Sequence, residues 1–282
     1  MKKRFVKILI FIAVIAFIAA FVVYGFTHQE TSHGEKPLIH FGADPVTVSW
    51  SDGKEGLLQD VTAEDPEDGD VTASLLVEGL SKFWEPGKCT VTYVAFDSDG
   101  NVSRVARDVI FQDYVVPKFT LSGPLIFRQG KSIDVLANVG AEDTFDGDLS
   151  RNVKASVENG SDQITQAGDY NVEYRVTNSM GDTARITLPI TVIPSSEYSQ
   201  YNYRIELTEY LVYLPVGAGF DPGTYFSKVL QGENDVVSGP GLPNGFEINS
   251  NMNTAAAGIY SVTYVYTDAG GSGITRLLVV VG

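Results

Sequence analysis

Cysteine and histidine are scarce in this sequence of 282 residues. The single cysteine, Cys89, excludes an intrachain disulfide, so any domain has to be stabilised by a packed core. The three histidines are His28, His33 and His40, which leaves residues 41–282 without an imidazole. A Ser-His-Asp or Cys-His catalytic group and a histidine-containing zinc site are therefore excluded from that region. We expect the protein not to be an enzyme, and we predict no catalytic residues.

Basic residues are few beyond the first seven positions. Residues 30–282 hold all 35 acidic residues and 16 of the 20 lysines and arginines, which gives this region a net charge of −19. Such a surface repels nucleic acid and anionic lipid headgroups, so we expect neither as a partner. The same charge keeps an extracellular protein soluble, and it also attracts divalent cations.

One long apolar run is present, and it lies near the N-terminus. Residues 8–26 are 19 uncharged, mostly apolar residues, and the preceding residues 1–7 include four basic side chains. Such a segment can cross a bilayer as a helix with the basic tail in the cytoplasm. A cleaved secretory signal has the same layout, so anchor and signal both stay open. Either one places the rest of the chain, which starts with a polar spacer at residues 27–36, outside the cytoplasm.

One pattern of alternating apolar residues occurs three times after the spacer. In each copy a glycine begins the run, and the residues two, four, six and eight positions later are apolar or aromatic. This period of two predicts a strand with one face in a core, and the turn and second apolar run that follow predict a hairpin. The spacing of the copies predicts three β-modules of about 80 residues each. The runs are residues 87–97, 168–178 and 258–268, and the modules are residues 37–113, 114–196 and 197–282.

An acidic motif is shared by the first two copies. It reads AEDPEDGD at residues 63–70 and AEDTFDGD at residues 141–148, and the third copy lacks it. Together with the run PGKCTVTYVAFDSDGN at residues 86–101, this motif resembles the bacterial immunoglobulin-like repeats that occur in tandem on Gram-positive surface proteins and in some crystal toxins. The resemblance implies immunoglobulin-like or cadherin-like β-sandwich modules that serve as a stalk, spacer or adhesive unit. The predicted fold is all-β, with three tandem immunoglobulin-like β-sandwiches after one N-terminal transmembrane helix.

The aspartates of the acidic motif have two possible roles. Closely spaced carboxylates beside a flexible glycine are ligands that calcium prefers, and calcium is the one cofactor that the sequence suggests. Alternatively, the aspartates form Asx-turns, in which the carboxylate caps backbone N–H groups and Gly69 or Gly147 takes a positive φ. Both roles stay open. The candidate calcium ligands are Asp65, Asp68, Asp70, Asp97 and Asp99 in the first copy and Asp143, Asp146 and Asp148 in the second.

Cys89 and two tyrosines occupy equivalent positions in the repeated strand. Cys89 stands where the other copies have Tyr170 and Tyr260, and this inward-facing position predicts a core side chain rather than a reactive thiol. The two tyrosines resemble a tyrosine corner, in which the hydroxyl donates a hydrogen bond to nearby backbone.

Several large aromatic residues lie outside the repeated strands. Tryptophan and tyrosine offer large, rigid contact surfaces to a ligand, but they also pack the junctions between adjoining modules. Both roles stay open for this group. Its members are Trp50, Trp84, Tyr198, Tyr201 and Tyr203.

These features predict a membrane-anchored spacer or adhesive surface protein that binds extracellular protein or carbohydrate. A docking subunit of a larger cell-envelope complex is the alternative, and a carbohydrate-active enzyme with two catalytic carboxylates is a minor one. The expected location is the cell membrane, crossed once by the N-terminal helix with the modules outside, or the exterior after signal cleavage.

Overall fold

The computed structural model describes residues 34–130, 133–158, 164–239 and 241–282. β-Strands predominate in these ranges, so the predicted all-β class is confirmed. Helix is limited within them to single turns and two short α-helices, α1 (Gly53–Leu58) and α2 (Ser195–Tyr198). No helix in this part of the chain is long and apolar enough to span a membrane. The predicted cytoplasmic tail, the transmembrane segment and residues 27–33 of the spacer lie outside the described residues.

The first copy of the repeated pattern forms two sheets. The smaller sheet has the strand order β1-β3-β4, and the larger has the order β2-β7-β6-β5. The repeated run itself becomes β6, and the apolar run after the turn becomes β7. The strands are β1 (Leu38–Phe41), β2 (Val46–Val48), β3 (Val61–Asp65), β4 (Gly69–Asp70), β5 (Leu76–Leu80), β6 (Lys88–Phe96) and β7 (Val102–Phe111).

The second copy also forms a three-stranded and a four-stranded sheet. Their strand orders are β11-β10-β8 and β12-β13-β14-β9, and β9 runs parallel to β14. Buried residues of both sheets belong to one apolar core, so the two sheets form a β-sandwich. The strands are β8 (Lys118–Leu121), β9 (Ile126–Arg128), β10 (Val139–Asp143), β11 (Gly147–Asp148), β12 (Lys154–Val157), β13 (Gly168–Thr177) and β14 (Thr183–Ile193).

The third copy forms a seven-stranded assembly in the order β18-β17-β15-β21-β20-β19, with β16 also paired to β21. Strand β15 changes partner along its length: Tyr201 and Tyr203 pair with β21, and the residues from Arg204 onward pair with β17. A strand that changes partner in this way makes a corner between two sheets. The strands are β15 (Tyr201–Leu207), β16 (Leu211–Leu214), β17 (Phe226–Gln231), β18 (Asn234–Ser238), β19 (Phe246–Ser250), β20 (Gly258–Asp268) and β21 (Gly271–Val281).

The described chain divides into two compact units. The first unit consists of the described residues up to Val46, together with Lys54–Gly79 and Val91–Arg107. The other contains Thr47–Gly53, Leu80–Thr90 and Asp108–Gly282, and so includes the second and third copies of the pattern. The division into three modules at residues 113 and 196 stays a prediction.

The predicted alternation in the repeated strands is confirmed. In each copy the residues four, six and eight positions after the glycine are buried, because one face of a strand contacts a core while the other faces outward. The first inward position is fully buried only in the first copy, where it is Cys89; Tyr170 and Tyr260 are half-buried. The buried residues are Cys89, Val91, Tyr93 and Ala95 in the first copy, Val172, Tyr174 and Val176 in the second, and Val262, Tyr264 and Tyr266 in the third.

The central tyrosine of each copy makes a hydrogen bond that sequence reasoning missed. The hydroxyl donates to a backbone carbonyl that lies 36, 39 or 42 residues earlier in the chain, in α1, a loop and a 3-10 turn respectively. This bond anchors the earlier segment to the core and satisfies a hydroxyl that would otherwise be buried without a partner. The bonds are Tyr93 to Leu57 O (2.5 Å), Tyr174 to Val135 O (3.0 Å) and Tyr264 to Pro222 O (2.9 Å).

Candidate functional site

The acidic motif of the first copy is a turn held together by its own carboxylates. Asp65 Oδ1 accepts hydrogen bonds from the backbone N–H groups of Glu67 (2.8 Å) and Asp68 (3.0 Å). The carboxylate of Asp68 accepts hydrogen bonds from Ser98 N and Ser98 Oγ at 2.6 and 2.9 Å. Asp65 is only 6% exposed, yet its Oδ2 has no hydrogen-bond partner among the residues that the structure describes.

The second copy forms the same turn with one additional bond. Asp143 Oδ1 accepts from the N–H groups of Phe145 (3.0 Å) and Asp146 (2.7 Å), and Asp143 Oδ2 accepts from Asn178 Nδ2 at 2.7 Å. Asp146 Oδ2 accepts from Ser179 N at 2.5 Å, as Asp68 does from Ser98. Both carboxylate oxygens of Asp143 therefore have a donor.

These bonds confirm the Asx-turn role of the motif. The turn glycines Gly69 and Gly147 have φ of 74° and 67°, as that role requires. No group of three or more histidine, cysteine, aspartate or glutamate side chains in the described ranges is placed to hold a metal ion. Calcium binding gains no support from this arrangement and stays a prediction. It concerns Asp65, Asp68, Asp70, Asp97, Asp99, Asp143, Asp146 and Asp148.

Cys89 is a core residue, as its place in the pattern predicts. Its side chain is fully buried, and burial, followed by the negative charge of Asp108, raises the pKa of the thiol to about 11. A thiol with this pKa holds very little of the reactive thiolate at neutral pH. Tyr170 and Tyr260, at the equivalent positions, donate to the backbone carbonyls of Gln166 and Ala256 at 3.0 Å, so the predicted corner-type bonds are also confirmed.

The predicted aromatic group divides into residues with different roles. The ring of Trp50 packs on Phe145, with centroids 3.9 Å apart, inside a cluster that also contains Phe83, Phe111 and Tyr114. Trp50 therefore has a packing role. Trp84, by contrast, is 53% exposed, and Lys88 Nζ lies 5.6 Å from its ring centroid.

Tyr198 and Tyr201 line a cleft of about 590 Å³ beside the start of β15. This volume is within the range of small-molecule sites, roughly 300–1,000 Å³. Both rings are half-buried and meet edge to face, with centroids 6.3 Å apart. Tyr203 lies deeper, where its hydroxyl donates to Asp268 Oδ1 at 2.8 Å, and its ring belongs to the core of the third copy. The cleft is also lined by Asn138, Arg204, Glu206 and Thr275.

Glycines of β21 allow the start of β15 to approach closely enough to form this cleft. A Cβ added at Gly271 would lie 1.8 Å from Asn202 Oδ1, and one added at Gly273 would lie 2.8 Å from Tyr203 O. Asn202 Nδ2 then donates to Gly270 O at 2.7 Å and fastens the two segments together. The glycine-rich stretch at residues 270–273 was therefore a sequence signal for a close backbone approach, although it did not indicate which residues would meet there.

Arg204, Glu206 and Thr275 are cleft residues that sequence reasoning did not single out. Arg204 and Glu206 form an ion pair at 3.0 Å, and Lys228 Nζ lies 3.8 Å from the other carboxylate oxygen of Glu206. Thr275 is completely buried, and its Oγ1 has no hydrogen-bond partner in the described part of the chain.

No family model matches the chain. The chain is 24% identical over 213 residues to the pesticidal crystal protein Cry22Aa of Bacillus thuringiensis. The aligned region covers 73% of this chain and 27% of that protein. The chain thus spans about a quarter of the length of that curated relative.

Two solved structures illustrate the structural similarity that is found. One contains CBM51-2 in complex with GlcNAc and INT domains from Clostridium perfringens ZmpB, at 23% identity, with 51% of this chain and 30% of that chain covered and a TM-score of 0.23. The other is human CDH23 EC21-23, at 13% identity, with 87% and 100% covered and a TM-score of 0.22. Superpositions at such TM-scores carry no argument about function.

Proposed function

We propose that the protein is a membrane-anchored, extracytoplasmic surface protein built of tandem immunoglobulin-like modules. It acts as a spacer or adhesive protein that binds protein or carbohydrate, and it has no catalytic activity. The cleft lined by Tyr198 and Tyr201 is the observation that carries the binding role. Aromatic rings beside a small number of polar groups are typical of sites that hold a ligand by contact and hydrogen bonding.

The charged residues of the cleft favour binding over catalysis. Glycoside hydrolysis needs two carboxyl groups on opposite sides of the scissile bond. Glu206 is the only carboxylate among the described lining residues, and it is paired with Arg204 and Lys228. The lone cysteine is buried, with a raised thiol pKa. These features support a binding role. Among its described residues, the cleft lacks the pair of carboxylates that the alternative, a carbohydrate-active enzyme, would need there.

The location outside the cytoplasm rests on the N-terminal sequence. The apolar residues 8–26 have the length of a membrane-spanning helix, and the basic residues before them favour a cytoplasmic N-terminus. Protease treatment of intact host cells tests this location. We expect the chain to remain with the membrane fraction and to be digested from outside. Release into the medium would support the cleaved-signal alternative, and protection from protease would contradict an outside location.

The binding role is tested with the full chain displayed on neutral liposomes. We expect these liposomes to adhere to cells or extracellular matrix, whereas liposomes without protein should not. A docking subunit would instead be inert alone and would co-purify from host membranes with fixed partners. The pesticidal role in the name of the relative is not a second candidate, because the shared residues form only 27% of that protein.

A further inference from the structure

A pocket of about 500 Å³ lies on the outer face of the four-stranded sheet of the second copy, at the start of β12. Three of its lining side chains are basic, and none of its described lining residues is acidic. Such a concentration of positive charge is unexpected in a chain whose residues 30–282 carry a net charge of −19. The pocket shares no lining residue with the cleft beside β15. Its lining residues are Arg151, Asn152, Val153, Lys154, Arg175 and Thr177.

The register of the sheet places basic side chains directly opposite one another. Lys154 of β12 pairs with Arg175 of β13, and Arg175 pairs in turn with Arg185 of β14. Side chains paired in this way point to the same face of the sheet, with Cβ atoms about 5 Å apart. Like charges at such positions repel each other and destabilise the sheet. A bound anion would remove that repulsion.

Two of the basic residues in this region have a carboxylate nearby. The guanidinium of Arg185 forms an ion pair with Glu173 at 3.1 Å. Hydrogen bonds from Ser150 lower the pKa of Asp148, and the positive charge of Arg151 lowers it further, so Arg151 lies close to this carboxylate. Arg185 and Arg151 are therefore partly neutralised by the protein itself.

Lys154 and Arg175 are not neutralised in this way. Neither side chain has an ion pair or a hydrogen bond with any residue that the structure describes. Both can be reached from solvent, because Lys154 is exposed and Arg175 is half-buried on the outer face of β13. The other carboxylates of these strands and turns have partners elsewhere: Asp146 with Ser179, Glu158 with Asn171, Asp169 with Thr191, and Asp182 with Tyr114.

The first copy shows that the fold does not require these charges. Its four-stranded sheet has the equivalent strand order, and apolar residues occupy the positions of the three basic lining residues. The basic pocket is thus specific to the second copy. Side chains that oppose the stability of a sheet without a structural need are typical of functional sites. The apolar residues are Ala73, Leu76 and Val94, in place of Arg151, Lys154 and Arg175.

The charge and composition of the pocket favour a phosphate group on a small polar molecule. A phosphate monoester has about −1.5 to −2 charge at pH 7 and three acceptor oxygens, which suits two unpaired positive charges among three basic side chains. Arginine binds phosphate through a planar fork of donors, whereas a carboxylate ligand would supply one charge and two oxygens. A protein partner is disfavoured, because protein interfaces have an apolar or aromatic centre and the apolar lining residue Val153 is buried. The net negative charge of the chain disfavours a long polyanion such as nucleic acid.

We infer that this pocket binds the phosphate group of a small polar phosphate monoester, such as a sugar phosphate, through Arg151, Lys154 and Arg175. Asn152 and Thr177 add neutral hydrogen-bonding groups at its edge. The inference goes beyond the proposed function, which rests on the cleft beside β15.

Calorimetric titration of the full chain in detergent with glucose 6-phosphate tests this inference. Inorganic phosphate, glucuronic acid and glucose are the comparison probes, all at the same ionic strength because salt screens exposed charges. We expect saturable binding of glucose 6-phosphate and of inorganic phosphate. Glucuronic acid should bind about tenfold more weakly or less, and glucose should not bind.

The residues of the first copy supply matched variants. Arg175→Val and Lys154→Leu should each weaken the binding of glucose 6-phosphate about tenfold, as expected for the loss of a charge-assisted hydrogen bond. The melting temperature without ligand should stay the same or rise, because each change removes a like-charge repulsion, and this separates a ligand role from a folding role. Arg104→Val, which removes an exposed, ion-paired arginine from a strand of the first copy, is the control and should leave the affinity unchanged.

The remaining outcomes decide the site and the ligand class. Binding that survives both Arg175→Val and Lys154→Leu would overturn the assignment to this pocket. Equal affinities for glucose 6-phosphate and glucuronic acid, or binding of inorganic phosphate without the ester, would overturn the phosphate monoester. Tighter binding of a hexaglutamate peptide than of glucose 6-phosphate would instead indicate an acidic protein partner and overturn the small ligand.

This inference and the proposed function fail separately. Adhesion of the liposome-displayed chain without binding of glucose 6-phosphate would overturn the phosphate pocket and leave the surface-binding function standing. Binding of glucose 6-phosphate that is lost in Arg175→Val, without adhesion, would support the pocket and contradict the adhesive role.

Discussion

The acidic turns of the first and second copies have the same backbone but different side-chain surroundings. In both, one aspartate oxygen accepts two backbone N–H groups, and a second aspartate accepts from the serine of the following hairpin turn. The other oxygen of the first aspartate differs. Asp143 Oδ2 is bonded to Asn178, whereas Asp65 Oδ2 is buried without a partner among the described residues.

An exchange of two residues in the hairpin turns explains the difference. The first copy has Asp97 and Asn101 where the second has Asn178 and Asp182. The Asp97 carboxylate accepts from Asn101 N and Nδ2, each at 2.7 Å, and, unlike an amide side chain, it has no N–H to donate to Asp65. Asn178 accepts from Asp182 N at 2.8 Å and still donates to Asp143. The turn therefore forms in both copies, with or without a bond from Asn178. We expect that bond to make the turn of the second copy the more stable one.

The largest expected difference in stability between the two turns concerns Phe145, which occupies the position of Glu67 in the first copy. Its ring contacts four other aromatic rings with centroids 3.9–5.6 Å away. Phe145→Glu should reduce the free energy of unfolding by about 3 kcal/mol, because it removes these contacts and introduces a charge. Urea unfolding followed by tryptophan fluorescence measures this, since Trp50 is one of the four rings. Glu67→Phe should change stability by less than about 0.5 kcal/mol, and equal effects would contradict the comparison.

The next effect concerns the first aspartate of each turn. In Asp143→Asn the new amide would face Asn178 Nδ2, donor against donor, and Asn178 cannot rotate without losing its bonds to Tyr114 OH and Asp182 N. We expect a loss of about 1–2 kcal/mol. Asp65→Asn should be neutral or stabilising, because it removes a carboxylate oxygen that has no donor.

Restoring the pair gives a check on this explanation. Asp143→Asn combined with Asn178→Asp places an acceptor opposite the new amide and should recover part of the lost stability in thermal unfolding. Equal destabilisation by Asp65→Asn and Asp143→Asn would show that the Asn178 contact does not matter.

A smaller effect is expected at the position that holds Cys89 in the first copy. Tyr170→Phe removes the hydroxyl that donates to Gln166 O and should cost about 0.5–1 kcal/mol in chemical unfolding. Tyr260→Phe removes the equivalent bond in the third copy and should cost a similar amount. A loss above about 2 kcal/mol for either variant would mean that the hydroxyl has a larger role than a local corner bond.

The smallest difference between the two turns is expected in how their stability depends on pH, because Asp70 and Asp148 have equivalent surroundings. Hydrogen bonds from the side chain and then the backbone N–H of the neighbouring hydroxyl residue lower the pKa of Asp70 and Asp148 below the ordinary value of 3.8. Because the folded pKa is the lower one, this stabilisation is complete above about pH 4 and is lost as the pH falls through the folded value. Asp70→Asn and Asp148→Asn should each reduce the acid sensitivity of unfolding by a similar small amount. A clear difference between them, measured as melting temperature against pH, would break the similarity.

Much of the fold could be predicted because its signals are local. The period of two identified the buried face of β6, β13 and β20, and the Asp-Gly-Asp spacing identified the two turns. The aromatic group was predicted with two roles, and the structure assigned packing to Trp50 and placed Tyr198 and Tyr201 at the cleft. Arg204, Glu206 and Thr275 could not be selected, because nothing in their local sequence distinguishes them from ordinary strand residues.

The sequence by itself determined the strands, the hairpins, the Asx-turns and the absence of a disulfide, since each depends on neighbouring residues or on composition. Only the tertiary structure decided which carboxylate oxygen meets a donor and where a ligand can enter. Asp143 and Asn178, like Lys154 and Arg175, come from separate parts of the chain. Their meeting depends on how the strands pair and pack, and no local pattern records that.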